Sequence, residues 1–161
     1  MKNISIIILF LSAFLISGCT SKTEETYGIA ENFKLPDVNR AEHALSDFKA
    51  DIIMLHFWAD WCAHCREEFK GLEKTYQDLK SEGFLIIAVN VGQSKDHVKG
   101  IQEEYHITFP MLRDADKKVS ELYQVKGLPA SYFVSSDGQI KYQRSGWIKA
   151  EEIADRFYAL K

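Results

Sequence analysis

The stretch Phe57–Phe69, FWADWCAHCREEF, decides the fold and holds two of the three cysteines of this 161-residue chain. Cys62 and Cys65 have two residues between them, a spacing that can exchange a disulfide, hold a metal or anchor a haem. The run DIIMLHF at residues 51–57 is largely apolar and of strand length, which predicts a buried strand directly before the pair. After the pair, apolar residues recur at helical spacing as far as Leu79. The cysteines are therefore predicted where a buried strand passes into a helix.

The predicted position of Cys62 at the start of that helix is typical of a nucleophile. Unpaired backbone N–H groups and the positive end of the helix dipole favour a thiolate over a thiol there. Cys65 follows on the same helical face, next to Phe69 and Leu72, so it is predicted to be more buried. We expect the Cys62 thiolate to attack a substrate disulfide and Cys65 to resolve the mixed disulfide that forms.

Other uses of a CxxC pair fit the sequence less well. Covalent haem attachment requires a histidine directly after the second cysteine, where this chain has Arg66. Structural zinc requires four ligands, but there is no second cysteine pair, and the remaining histidines are scattered at His43, His56, His97 and His106. A purely structural disulfide across so short a loop would add little stability. We therefore expect a redox site without a metal or a cofactor.

The N-terminus predicts a secreted and membrane-tethered protein. Lys2 precedes an apolar run at residues 4–16, which is too short to span a bilayer comfortably and is typical of a signal-peptide core. It ends in ISGC, which resembles the lipobox of bacterial lipoproteins, in which the cysteine, here Cys19, is lipidated. An uncleaved anchor helix is the alternative. We predict three segments: a signal peptide at 1–18, the lipidated cysteine and a flexible linker at 19–29, and one domain at 30–161.

The remaining pattern predicts an α/β fold. Beyond the strand and helix around the cysteines, strands are predicted at 84–91, 131–136 and 139–147, and helices at 94–105, from about Asp116, and at 149–160. Asp137-Gly138 between the last two strands indicates a hairpin. A short strand near Pro36 is expected at an edge. The order of these elements predicts a central mixed β-sheet flanked by helices on both faces.

The stretch FWADWCAHCREEF resembles the active site of the thioredoxin superfamily, in which FWAxWCxxC follows a central strand. The likeness extends from about Asn32 to Leu160 and is greatest to the membrane-tethered ResA/TlpA branch, within the AhpC/TSA-redoxin-like proteins. LPDVN at 35–39 matches the front end of that branch, and 86–140 matches its central insertion and the strands that follow. The resemblance implies a thioredoxin fold with ResA/TlpA-type N-terminal strands and insertion, and the activity of a thiol–disulfide oxidoreductase.

The resemblance also implies roles for residues near the pair. Pro129, in GLPAS, corresponds to a cis-proline that faces the cysteines, and the backbone of Leu128 before it contacts the substrate chain. Glu68 takes the place of a glutamate that tunes the cysteines and relays protons; a solvated first-turn carboxylate is the alternative. Trp61 is expected to shield the flank of Cys62 and to contact partners, with a packing role as the alternative.

Two histidines depart from the pattern of the branch. His56 occupies the position of the buried aspartate that accepts a proton in thioredoxins, so it is either a proton relay or a satisfied core histidine. His64, directly before Cys65, resembles the strongly oxidising DsbA-type site, where it stabilises the Cys62 thiolate and raises the reduction potential. The ResA/TlpA scaffold is instead associated with reduction. We expect a reductase, with a DsbA-like oxidase or isomerase as the alternative.

The partners follow from these expectations. A net charge of −3 provides no general basic surface, so nucleic acid is not expected. The resemblance implies disulfide-containing clients, such as the CxxCH motif of apocytochrome c, and a membrane electron donor of the CcdA/DsbD type. We expect a monomer held by its lipid anchor on the extracytoplasmic face of a bacterial membrane. A peroxiredoxin-like peroxidase would need threonine at Ala59, and a Sco-type copper-delivery protein would need CxxxC.

Overall fold

The computed structural model describes residues 27–161, and the predicted signal peptide and Cys19 lie outside that range. The helices and strands are, in chain order, β1 (Lys34–Pro36), β2 (Glu42–Ala44), β3 (Ile52–Trp58), α1 (Ala63–Leu79), β4 (Phe84–Val91), α2 (Lys95–Glu104), β5 (Met111–Asp114), α3 (Lys118–Leu122), β6 (Ala130–Ser135), β7 (Ile140–Ser145) and α4 (Ala150–Leu160). Within residues 27–161, every helix is too short or too polar to cross a membrane.

The strand before the cysteines, β3, lies at the centre of a five-stranded sheet with the order β5-β4-β3-β6-β7. It runs parallel to β4 and antiparallel to β6, while β5 is parallel to β4 and β7 antiparallel to β6. The short strands β1 and β2 pair with each other. The predicted central mixed sheet is therefore confirmed. The sequence did not predict β5, because four residues are too few to show a strand period.

All seven residues of β3 are buried, because both faces of the sheet are covered. Side chains alternate between the faces. Met54 and Trp58 join a core formed with α1, α2 and α4, whereas Leu55 and Phe57 join a second core with α3 and the β1–β2 pair. His56 lies between Leu55 and Phe57 in the sequence, so the alternation directs its side chain to the face that α1 covers.

The helix after the cysteines ends at a glycine, as the sequence predicts. A 3-10 turn at Lys80–Glu82 continues α1, and Gly83 follows with a φ of +96°. A Cβ atom on Gly83 would lie 2.5 Å from Oδ2 of Asp51. Both the left-handed backbone and this close approach require glycine. They fix the point from which β4 starts beside β3.

The other predicted elements agree with the structure to within a few residues. β4 occupies exactly the predicted range, and α2 has the predicted Ser94 as its N-cap residue. The β6–β7 hairpin turns through Asp137 and Gly138, whose φ is +81°. α3 starts two residues later than predicted, at Lys118. At the N-terminal side, the N–H of Tyr27 already donates to the carbonyl of Ile140, so the last part of the predicted linker contacts β7.

Candidate functional site

The cysteine pair lies at the carboxyl end of β3, where α1 begins. Cys62 is the N-cap residue of α1, and its Sγ accepts a hydrogen bond from the Cys65 backbone N–H at 3.3 Å. The two cysteines form a disulfide, with their Cα atoms 5.3 Å apart. A sulfur that accepts from a helix N-terminal N–H is stabilised as a thiolate when the disulfide is reduced. The site therefore combines a redox pair with a backbone environment that favours the Cys62 thiolate.

The two sulfur-bearing residues differ in access to solvent. Cys62 keeps an exposed fraction of 7%, whereas Cys65 is completely buried. An incoming disulfide therefore meets Cys62 first. The expected roles, in which Cys62 attacks and Cys65 resolves, stay a prediction.

An ionic clamp holds the loop between β3 and α1. The Arg66 guanidinium donates to Oδ1 of Asp60 on that loop and, at 2.8 and 2.9 Å, to both carboxylate oxygens of Glu104 at the end of α2. The Asp60 N–H also donates to Oε1 of Gln93 at 2.7 Å. Arg66, the residue that excludes haem attachment, thus ties the active-site loop to α2.

The proline predicted to face the cysteines lies at the start of β6. The Leu128–Pro129 bond is cis, the isomer that the resemblance implied, and the role of Pro129 at the cysteines stays a prediction. The next residue, Ala130, pairs with Phe57 near the carboxyl end of β3, so the proline loop comes to the same end of the sheet as the cysteines. The N–H of Gly146 donates to the Pro129 carbonyl at 2.8 Å. Leu128 is half-buried and contacts both cores.

Glu68 is buried, so it is not the solvated carboxylate that the sequence left as an alternative. Its residue exposure is 4%, and it lies on the buried face of α1, one turn after Cys65. Oε1 accepts from the backbone N–H of Ile148 at 2.6 Å, and Oε2 lies 3.4 Å from Nε2 of His56. Burial raises the pKa of Glu68 to about 8, although the Ile148 hydrogen bond opposes the rise. Such a carboxyl can exchange a proton with a thiol near neutral pH.

His56 is completely buried between the sheet and α1. Its Nδ1 lies 3.0 Å from Oγ of Ser131, the residue opposite it on β6, and its Nε2 faces Glu68. Burial lowers the pKa of His56 to about 4, since the imidazolium would lose its hydration. The ring is therefore neutral at neutral pH.

The opposite side of the first helical turn faces water. Trp61 is 72% exposed, and the side chains of His64 and Glu67 are 70% and 65% exposed. His64 Nδ1 lies 3.3 Å from Oε2 of Glu67. Trp147 is also exposed, and it lines a cleft of about 270 Å³ that leads from the surface to Glu68.

The fold and this geometry agree with a family match. Residues 28–143 match the AhpC/TSA family. The chain belongs to the AhpC/TSA family. It is 35% identical over 132 residues to the thiol-disulfide oxidoreductase ResA of Bacillus subtilis. The aligned residues cover 82% of this chain and 74% of that protein. The chain is 33% identical over 143 residues to the ResA of Geobacillus kaustophilus. The aligned residues cover 88% of this chain and 82% of that protein.

Solved structures support the same assignment for this AhpC/TSA protein. A thiol:disulfide interchange protein from Chlorobium tepidum, described as DsbE, superposes with a TM-score of 0.77 at 26% identity, over 84% of this chain and 97% of that one. The predicted thioredoxin fold is confirmed. The chain is a thiol–disulfide oxidoreductase similar to ResA and DsbE.

Sequence reasoning missed three parts of this AhpC/TSA site. It did not find Ser131 beside His56, the Ile148 N–H at Glu68, or the Asp60–Arg66–Glu104 clamp. Ser131 lies only two residues after Pro129, but its partner is set by the β3–β6 register, which no local pattern shows. In residues 27–161, no group of three or more His, Cys, Asp or Glu side chains has a geometry that could hold a metal ion.

Proposed function

We propose that this protein reduces disulfides in client proteins outside the cytoplasm, with the CxxCH motif of apocytochrome c as the client class. The observation that carries the proposal is the asymmetry of the disulfide: Cys62 reaches the surface, while Cys65 is buried one turn before a protonatable Glu68. A resolving cysteine needs a proton acceptor inside the protein, and Glu68 provides one. The similarity to ResA proteins supports the same activity.

The reaction proceeds in two exchanges. The Cys62 thiolate attacks one sulfur of the client disulfide, so that a Cys62–client disulfide forms and the second client sulfur leaves as a thiolate. Glu68, as a carboxylate, then accepts the proton of the Cys65 thiol. The Cys65 thiolate attacks Sγ of Cys62, the Cys62–Cys65 disulfide forms, and the first client sulfur leaves. The client has gained two electrons, and a membrane dithiol donor of the CcdA/DsbD type restores the enzyme.

Surface groups around Cys62 support client docking. Trp61 presents most of its indole to solvent, and Leu128 lies half-buried before the cis-proline, at the same end of the sheet. An extended client segment beside its cysteine finds an apolar contact at Trp61 and backbone groups at Leu128. We assign both residues to substrate binding, next to the cysteine pair.

The location follows from the N-terminal sequence. A signal peptide at 1–18 and a lipidated Cys19 would place residues 30–161 on the extracytoplasmic face of the membrane as a monomer on a short tether. A Cys19→Ala variant of the full chain tests this part. The proposal requires that it loses membrane retention while the purified protein keeps its reducing activity.

The direction of electron flow has a second candidate, because His64 before Cys65 is typical of DsbA-like oxidases. In the structure, however, His64 is exposed and lies beside the carboxylate of Glu67, so water and a counter-charge weaken its effect on a Cys62 thiolate. The reduction potential discriminates between the two. A value near −270 mV, about that of thioredoxin, supports the reductase, and a value near −120 mV, about that of DsbA, overturns it.

Client trapping tests the assignment of the cysteines. In Cys65→Ala, the mixed disulfide on Cys62 has no resolving thiol, so clients should accumulate on the protein. Cys62→Ala is the matched control and should trap few. Mass spectrometry of the trapped species identifies whether CxxCH proteins are among them. Equal trapping by both variants would overturn the role of Cys62, and the absence of CxxCH proteins would overturn the client class.

A further inference from the structure

Three polar side chains form a line across the buried side of α1: Ser131 on β6, His56 on β3 and Glu68 on α1. Ser131 and His56 are completely buried, and the Glu68 side chain is 1% exposed. The His56 ring lies between the hydroxyl, 3.0 Å from Nδ1, and the carboxyl, 3.4 Å from Nε2. Each end of the ring therefore has one polar partner.

At the Glu68 end of this line, the residues at 27–161 offer the two facing atoms no other hydrogen-bond partner. Nε2 of His56 and Oε2 of Glu68 are both buried without a regular hydrogen bond among the described residues, and they face each other. The other carboxyl oxygen, Oε1, is already occupied by the Ile148 N–H. An unsatisfied buried polar atom is costly, so these two atoms must serve each other in whichever state Glu68 adopts.

Nε2 of His56 and Oε2 of Glu68 can form a hydrogen bond with each other both when Glu68 is ionised and when it is protonated. An ionised carboxylate accepts hydrogen bonds only, and then needs a proton on Nε2 of His56. A protonated carboxyl donates, and then needs a bare Nε2. A neutral imidazole has one N–H, on either nitrogen, and the Ser131 hydroxyl can donate to Nδ1 or accept from it.

We propose that His56 is a tautomer switch that positions the proton of Glu68: the ring proton is on Nε2 when Glu68 is ionised and on Nδ1 when Glu68 is protonated, and the Ser131 hydroxyl serves both tautomers. This inference rests on the proposed transfer of the Cys65 proton to Glu68. With Glu68 ionised, the pair holds one proton, on Nε2. With Glu68 protonated, it holds two, one on the carboxyl and one on Nδ1, and the added proton is that of the Cys65 thiol.

The surroundings favour a neutral ring in both end states. Burial lowers the pKa of His56 and raises that of Glu68, so one carboxyl proton, and not an imidazolium, is exchanged at neutral pH. Cys65 lies on the same buried face of α1, and its sulfur carries a proton only after the disulfide is reduced. Ser131 faces the ring from β6, and the charged residues that line the cleft at Glu68 are Glu67, Lys149 and Glu151. That cleft is lined by Glu68, and we expect the proton to return to water through it once the disulfide has formed.

Nitrogen NMR of the full chain with 15N-labelled histidine tests the switch directly, because protonated and bare ring nitrogens have well-separated chemical shifts. In the oxidised protein, we expect His56 to carry its proton on Nδ1 at pH 6. Above about pH 8, the pKa of Glu68, the proton should be on Nε2. Two protonated nitrogens at pH 6 to 7, or one unchanged tautomer from pH 6 to 10, would overturn the inference.

A variant and an internal control make the assignment specific. In Glu68→Gln, the group beside Nε2 no longer titrates, so the tautomer of His56 should not change with pH. His97 serves as the control in the same spectra, because its Nδ1 lies 2.9 Å from a serine hydroxyl, that of Ser94, but in an exposed place. Its signals should be the same in both proteins. A pH-dependent tautomer of His56 that persists in Glu68→Gln would contradict the proposal.

A kinetic experiment tests the consequence for the reaction. His56→Leu removes the N–H that donates to Glu68 when Glu68 is ionised. A carboxylate loses more hydrogen-bond stabilisation by this change than a neutral carboxyl does. The pKa of Glu68 should therefore rise, so that Glu68 holds its proton more tightly. With a disulfide-bonded CxxCH peptide as the client, the pH dependence of mixed-disulfide resolution should shift upward by about one pH unit, a tenfold lower rate at pH 7. A lower rate with an unshifted pH profile would indicate a purely structural role for His56 and would overturn the switch. Resolution that is insensitive to Glu68→Gln would instead overturn the proposed role of Glu68, while the NMR result stands separately.

Discussion

Two histidine–glutamate pairs lie near the active-site disulfide, one exposed on α1 and one buried between β3 and α1. His64 Nδ1 is 3.3 Å from Oε2 of Glu67, and His56 Nε2 is 3.4 Å from Oε2 of Glu68. The side chains of the first pair are 70% and 65% exposed, and those of the second 0% and 1%. Water screens the first pair, whereas desolvation moves the pKa of His56 to about 4 and that of Glu68 to about 8.

The comparison shows that proximity alone does not create a proton-exchanging group. The side chain of Glu67 is mostly exposed to water, whereas Cys65 is completely buried. The buried carboxyl loses its hydration, and its protonated form becomes stable near neutral pH. The sequence REEF places Glu67 and Glu68 next to each other, but the helix directs one to solvent and the other to the core.

The largest expected difference between the pairs is catalytic. Glu68→Gln removes the proton acceptor, and we expect resolution of the Cys62 mixed disulfide to be about 100-fold slower at neutral pH, the usual scale for loss of a general base. The glutamine amide keeps an oxygen for the Ile148 N–H and a donor for His56, so the fold should be retained. Rapid-quench measurement of client thiol release gives the rate.

The matched control for that experiment is Glu67→Gln, the same change one residue away on the exposed side. Its rate should stay within about twofold of the unmodified protein, because its carboxylate faces water and is screened. Similar losses in both variants would show that the negative charge near α1, and not the buried proton site, determines the rate.

A smaller difference is expected in the pH dependence of stability. The folded pKa of Glu68, about 8, is above the ordinary glutamate value of 4.5, so the folded state binds more protons and its stability falls as pH rises between these values. The folded pKa of His56, about 4, is below 6.5, so its contribution rises with pH up to 6.5. The two slopes oppose each other below pH 6.5. From pH 6.5 to 8, of these two groups only Glu68 still changes the free energy of unfolding, which falls by at most about 1.4 kcal/mol per pH unit.

Urea unfolding of the oxidised protein at pH 6.5, 7.2 and 8 measures this fall. Glu68→Gln lacks the titrating group, so the free energy of unfolding of the unmodified protein should drop relative to it by about 1–2 kcal/mol over the window. Glu67→Gln should follow the unmodified protein at each pH. Parallel curves for the unmodified protein and Glu68→Gln would mean that Glu68 is ionised in the folded state, and the comparison between the pairs would fail.

The elements that carry these pairs could be predicted from sequence, but the contacts between them could not. The largely apolar run DIIMLHF and the helical spacing after Cys62 predicted β3 and α1, because their patterns are local. The order of access of the two cysteines followed from their places at the helix start. In each of these predictions, the residues that determine the structure lie close together in the sequence.

The buried pair depends instead on residues far apart in the chain. The partners of His56 and Glu68 are Ser131 and Ile148, 75 and 80 residues away, and they arrive through the β3–β6 register and the loop before α4. A histidine in a strand and a glutamate in a helix each have ordinary local explanations. Their environment appears only when the sheet and the helices are assembled, so the sequence left both roles open.

The smallest expected effect is the interaction within the exposed pair, and it completes the comparison. A double-mutant cycle with His64→Gln and Glu67→Gln should give a coupling free energy of about 0.3 kcal/mol in urea unfolding at pH 6, the scale of exposed ion pairs on helices. The coupling should fall further in 1 M salt, where charges in water are screened within about 3 Å. A salt-independent coupling above 1 kcal/mol would mean that water does not screen His64 and Glu67. His64 would then remain available to stabilise the Cys62 thiolate, and the oxidising direction would regain its support.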